Sequence, residues 1–131
     1  MRQTDIQISD RAHQQLLEHA LTAAPEECCG LLLRSHANAP LVYHTYEELT
    51  NAASNRTHTF LLEPNQLIDL VYRYPKSMWD ILFVHSHPLT PPTLSATDIQ
   101  GLALSARLFN GIFIVSLQHG SEHPSYACYE L

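Results

Sequence analysis

Three prolines stand within five residues at Pro88-Leu89-Thr90-Pro91-Pro92, directly behind the apolar run Ile81-Leu82-Phe83-Val84 and the triplet His85-Ser86-His87. Proline fixes φ and lacks an amide hydrogen, so this stretch cannot be helix and makes a poor central strand. It reads as a stiff loop of defined shape. A buried strand, Asp80 to His85, must end before it, and a new element must begin after it. Ser95-Ala96-Thr97-Asp98 supplies that beginning, with Ser95 as N-cap and Asp98 in the first turn. The pattern predicts a helix from there to about Leu108.

The rest of the chain falls into place around this centre. Ser9 or Asp10 caps a helix to about Ala23, with Ala12, Leu16, Leu17, Ala20 and Leu21 as its apolar stripe. Pro25 ends it. Cys29 to Leu33 reads as a buried strand, Ser35 to Pro40 as a turn, and Leu41 to Leu49 as a second strand. Thr50 to Arg56 is polar loop, and Thr57 to Leu62 reads as a third strand. Pro64 suits the first turn of a helix that carries Leu67, Ile68, Val71 and Tyr72 and stops before Pro75. Asn110-Gly111 turns the chain into a strand over Ile112 to Leu117, and Tyr126 to Leu131 reads as the last strand. The order is helix, three strands, helix, strand, helix, two strands. That predicts one mixed α/β (α+β) domain over 1–131, a sheet covered by helices.

Composition sets the outer limits. The chain has 131 residues with 45% hydrophobic and 15% charged, a globular balance. Its net charge of −6 argues against a basic nucleic-acid face and against docking on anionic membranes. No run reaches the ~18 apolar residues of a membrane span. The opening Met1-Arg2-Gln3-Thr4-Asp5-Ile6-Gln7 has no signal-peptide core, and the three cysteines Cys28, Cys29 and Cys128 are an odd count. Together these predict reduced thiols in a cytoplasm, with the cysteines as small core residues.

Nine histidines are unusual for this length. An H-x-H pair alone says little, because roughly half of such chains would hold one by chance. His85 and His87 carry more weight because they sit where a buried strand leaves the sheet. At i and i+2 on an extended chain they share a face, about 7 Å apart, and two imidazoles at that spacing can meet on one ion. The Pro-rich loop then brings back Asp98 from a helix start. Two His and one Asp suit Zn²⁺ and leave a fourth corner for water, the pattern of a catalytic site. Singly, each residue has an ordinary role: loop histidines, a capping serine, a first-turn acid. A base is also needed, and Glu26 or Glu27, ahead of the first strand, can supply a carboxylate. Spacing does not choose between them. His13, His19, His36, His44, His58, His119 and His123 are read as mostly surface residues. Trp79, Tyr126 and Tyr129 are read as packing.

Pro25-x-Glu27-x-Cys29-Gly30-Leu31-Leu32, followed by His85-Ser86-His87-Pro88, Ser95 and Asp98, resembles the JAMM motif of the JAB/MPN+ zinc metalloproteases. The stretch around Asn51 to Phe60 and the Pro64 helix resemble that family's middle section. Arg34 stands where the family often has Gly, and Val84 where it often has an aromatic residue. The resemblance implies a curved mixed sheet of cytidine deaminase-like JAB/MPN architecture. It implies that His85, His87 and Asp98 bind one Zn²⁺, that Glu27 rather than Glu26 is the general acid/base, and that Ser95 donates to the oxyanion. Small stand-alone relatives of this kind resemble peptidases that cut after the Gly-Gly tail of a ubiquitin-like sulfur-carrier protein. A phage-tail-type endopeptidase and a non-enzymatic scaffold of the same fold are the alternatives. Intact ligand and base positions speak against the scaffold.

Overall fold

The structure is a computed structural model that describes residues 2–37, 42–103 and 105–131. In chain order the elements are β1 (Gln3–Thr4), α1 (Asp10–Ala23), β2 (Cys29–Ser35), β3 (Thr45–Leu49), α2 (Pro64–Arg73), β4 (Trp79–His87), α3 (Ala96–Leu102), a 3₁₀ turn (Ala106–Leu108), β5 (Gly111–Ser116) and β6 (Ser125–Glu130). The six strands form one sheet in the order β1-β6-β5-β4-β2-β3. Among the described strands only β4 and β5 pair in parallel; the other pairs are antiparallel. The expected α+β class is therefore what the chain adopts.

Alternation along the strands separates two cores. Leu32, Leu82, Val84, Phe113 and Val115 pack with Ala12, Leu16 and Ala20 of α1 on one face. Leu31, Leu33, Phe83, Ile112 and Ile114 pack with Leu70 of α2 and Leu102 of α3 on the other. α1 forms because Ser9 caps it, accepting from the Ala12 amide, and because its buried residues recur every four positions. Leu21 of its expected stripe is instead 38% exposed. α2 starts on Pro64, with the Glu63 carboxylate accepting from Asn65 and Gln66 amides. Only Leu70 of α2 is buried; Ile68, Val71 and Tyr72 are exposed.

Several expected boundaries move. Thr57 to Leu62 is not a strand: one bridge, Asn51 to Leu62, is all that pairs there. The strand expected over Leu41 to Leu49 is Thr45–Leu49, with Leu41 outside the described residues, as are positions 38–40 of the expected turn. α3 stops at Leu102, six residues short, where Ala103 bonds back to the Gln100 carbonyl in a tightened i−3 turn. β4 runs on through both histidines, two residues past its expected end. β1, two polar residues paired with Tyr129 and Cys128, had no hydrophobic signal to announce it.

Candidate metal centre

β4 is the central strand, flanked by β2 and β5. Its alternation decides where the histidines go. Phe83, His85 and His87 share one face, and Val84 and Ser86 the other. His85 is fully buried, with its ring 4.9 Å from that of Phe60 and 5.8 Å from that of Phe83. His87 follows at the strand's C-terminal end, its ring 4.8 Å from that of His85.

The Pro-rich loop leaves the sheet here and is tacked back to it. Three successive carbonyls accept hydrogen bonds: Thr90 from the Ser116 hydroxyl, Pro91 from His87 Nδ1 at 2.8 Å and Pro92 from the Tyr129 hydroxyl at 3.1 Å. A loop poor in amide donors can still be fixed through its carbonyls. It hands the chain to α3, whose capping box is complete. The Ser95 hydroxyl oxygen accepts from the Asp98 amide at 3.1 Å, and Asp98 Oδ2 accepts from the Ser95 amide at 2.9 Å. That box points the Asp98 carboxylate at β4.

The result is a buried group in which His85, His87 and Asp98 each offer an atom, all within 4.8 Å of one another. His87 Nε2 lies 3.2 Å from Asp98 Oδ2, and His85 Nε2 lies 3.4 Å from Asp98 Oδ1. The Pro91 carbonyl only accepts, so His87 Nδ1 carries its hydrogen and neutral His87 turns a bare lone pair toward Asp98. His85 Nε2 is buried with no hydrogen-bond partner. Lone pairs facing a carboxylate at these distances call for positive charge between them. The donor set fits a divalent cation that accepts nitrogen and oxygen ligands. Burial disfavours imidazolium at His85, but Asp98 and Glu27 outweigh it and raise the His85 pKa. Burial would likewise raise the Asp98 pKa, but the two imidazoles and the Ser95 amide hold it far below the carboxylate range.

Glu27 enters from the other side, ahead of β2. It is 9% exposed, and its Oε1 sits 3.4 Å from His85 Nδ1. Glu26 points elsewhere and pairs with Arg56 at 3.2 Å. Glu27, His87, Ser95 and Asp98 all line one cleft of about 510 Å³, with the Pro-rich loop as one wall and Thr57 and His58 as the other. All five residues picked out from the sequence thus meet in one place. Ser95 uses an oxygen lone pair for its cap, which leaves the O–H free to donate into the cleft. Cys28 and Cys29 stay outside the chemistry. Burial pushes Cys28 up to about 11 and Cys29 well above the usual thiol range, so both are poor nucleophiles.

The sequence reading missed the partners that hold the site's surroundings: Asn51 at Glu27, Ser116 and Tyr129 at the Pro-rich loop, and the Pro91 carbonyl at His87. Asn51 opens a polar loop, where asparagine side chains commonly bond nearby backbone, and that was the one available signal. Trp79 packs as expected, its ring 4.9 Å from that of Tyr74. His13 and His19 are half-buried rather than surface residues, bonded to the hydroxyls of Tyr126 and Tyr46. His36, His58, His119 and His123 are exposed.

Fold and site together define the class: a mixed sheet between helices with a His–His–Asp group at the C-terminal end of its central strand. The chain belongs to the prokaryotic homologues of the JAB domain, a family that its residues 9–128 match. It is similar to a protein from Desulfitobacterium hafniense solved in solution, at 25% identity and a TM-score of 0.73, covering 96% of this chain and 84% of that one. It also shares the fold of a JAB1/MPN domain protein from Archaeoglobus fulgidus, at 23% identity and a TM-score of 0.58, covering 95% of this chain and 89% of that one. No curated protein matches the chain.

Proposed function

We propose that this chain is a zinc-dependent peptidase that hydrolyses the amide bond after the Gly-Gly tail of a ubiquitin-like sulfur-carrier protein. The observation that carries the reading is the buried His85–His87–Asp98 group, with an unpartnered His85 Nε2, open to a cleft that also holds Glu27 and Ser95. His85, His87 and Asp98 would hold the ion. When bound, zinc supplies a Lewis acid and lowers the pKa of water toward neutrality. The Glu27 carboxylate takes a proton from the attacking water and delivers it to the departing amine nitrogen. The Ser95 hydroxyl donates to the oxyanion that forms as the substrate carbonyl is attacked. His87 keeps its ring orientation through the Pro91 carbonyl, the kind of outer support that metal-binding imidazoles commonly have. The reading places the protein in the cytoplasm, where its three free buried thiols stay reduced.

The test is to incubate zinc-loaded protein with carrier proteins extended beyond their Gly-Gly tail and to weigh the products. Loss of the extension is expected. Glu27→Gln should hold one zinc and cleave at least about a hundredfold more slowly. Wild-type rates in that variant would remove Glu27 from the mechanism. A wild-type chain that neither binds zinc nor cleaves would be a scaffold.

A further inference from the structure

The Glu27–Cys28 peptide unit is gripped at both of its polar groups. Its carbonyl, Glu27 O, accepts from the Asn51 side-chain amide at 2.9 Å. Its N–H, on Cys28, donates to the Ser86 hydroxyl at 2.9 Å, and the Ser86 amide returns a bond to Cys28 O at 3.2 Å. The Glu27 N–H donates to the Arg56 carbonyl at 2.6 Å. Ser86 lies on β4 between the two histidines, whereas Asn51 and Arg56 lie on the loop that forms the far wall of the cleft. Glu27 is therefore hung between the histidine-bearing strand and that loop, and neither anchor uses its carboxylate.

Asn51 is the hub of the loop side. Its amide nitrogen gives one hydrogen to Glu27 O and the other to Thr59 O at 3.0 Å. Its oxygen accepts from the amides of Ala53 and Leu61, both at 3.1 Å. All four of its hydrogen-bonding capacities are used. The acceptor half closes the loop on itself, and the donor half joins Thr59 O of that loop to Glu27 O. A serine or alanine cannot do both, and aspartate can do only the first.

We infer that Asn51 is a positioning residue for Glu27, fixing the backbone from which the carboxylate reaches the cleft. The inference rests on the proposed role of Glu27 as the acid/base. A proton-transfer group must sit within hydrogen-bond reach of its partner atoms, and a displacement of about 1 Å can cost a hundredfold in rate. None of the hydrogen bonds of Asn51 goes to His85, His87 or Asp98, so its loss should leave the ion in place.

The experiment compares wild type, Asn51→Asp, Asn51→Ala and Glu27→Gln, each loaded with zinc and supplied with a Gly-Gly-tailed carrier protein extended by one cysteine. Asn51→Asp and Asn51→Ala should each bind one zinc, keep KM within about twofold and lose roughly ten- to a hundredfold in kcat. Amide hydrogen exchange, read with and without zinc, gives an answer that does not depend on turnover. In Asn51→Asp the Cys28 amide, the N–H of the peptide unit whose carbonyl Asn51 holds, should exchange about tenfold faster, while those of Ala53 and Leu61, whose acceptor survives, and of Ile114 in the core should hold. In Asn51→Ala the first three should all speed up. Where Asn51→Ala fails to fold, the aspartate variant carries the test. An unchanged kcat in Asn51→Asp beside an inactive Glu27→Gln would overturn the inference. So would a change confined to KM, or an unchanged Cys28 amide. If Glu27→Gln cleaves normally, the proposed mechanism falls, and exchange at the Cys28 amide still decides whether Asn51 holds that peptide.

Discussion

His87 gives its Nδ1 hydrogen to the Pro91 carbonyl and so has Nε2 left for the Asp98 side. One residue thereby anchors the loop and presents a ligand atom. Asp80 shows a different balance at the opposite end of β4. It accepts from Arg34 Nε and a terminal Arg34 nitrogen at 2.9 and 2.6 Å, and from His36 at 2.9 Å. Partial burial pushes its pKa up, but the His36 and Arg34 bonds more than offset this and lower it. A carboxyl with a depressed folded pKa adds stability above its unfolded pKa of about 3.9, and that stability is lost as pH falls through the folded value. Asp80→Asn should therefore cost up to about 1 kcal/mol near neutrality, since water screens a pair this exposed. The gap to wild type should narrow below about pH 4 and close once wild-type Asp80 is protonated. Urea unfolding across pH measures both curves. A gap that stays constant to the lowest pH would mean that the pair stabilises by packing rather than by charge.

Elements were legible where side-chain patterning alone defines them. The four-residue spacing of Ala12, Leu16 and Ala20 and the continuous apolar runs of β2, β4 and β5 identified their elements. The stretch from Thr57 to Leu62 was misleading for a physical reason. Its residues favour strand, but its backbone finds the Asn51 side chain in place of a neighbouring strand: Thr59 O and Leu61 N both bond to it. α3 was read too long because apolar residues continue to Leu108, whereas the helix itself ends at Leu102. Gly101 in its last turn lies against the Phe60 ring, where a side chain would collide. β2 has a comparable contact. A Cβ on Gly30 would collide with the hydroxyl end of the Tyr46 ring, whose hydroxyl bonds to His19 Nδ1 at 2.7 Å. That closeness binds β2, β3 and α1 together. Gly30→Ala should cost about 2 kcal/mol by overpacking, seen as a lower urea midpoint with an unchanged slope. A wild-type midpoint would mean that Tyr46 swings aside at no cost.

At the scale of the whole molecule, strand order was hidden from sequence because pairing is long-range. Nothing local says that β4 lies beside β5 in parallel while β2 pairs on its other edge. Yet the site was visible, since its ligands come from one strand end and the next helix start, joined by a loop too proline-rich to be anything else. The same layout would link a bound cation to stability. Asp98 belongs to α3 and the histidines to β4, so a cation held by all three would bridge a helix and a strand that also meet through the apolar packing of Leu102 and Phe83. A ligand that binds only the folded chain stabilises it by RT ln(1 + [L]/Kd), about 2.7 kcal/mol at a hundredfold excess over Kd. For a domain of this size that is a rise of roughly 10 °C in Tm. Wild type should show this on adding zinc and lose it to a chelator, whereas His87→Ala should bind less than one equivalent and show no rise. Scanning calorimetry beside metal analysis reads both. If zinc leaves the wild-type Tm where it was, Asp98 and the two histidines do not form the cation site. An equal rise in His87→Ala would place the ion elsewhere on the molecule.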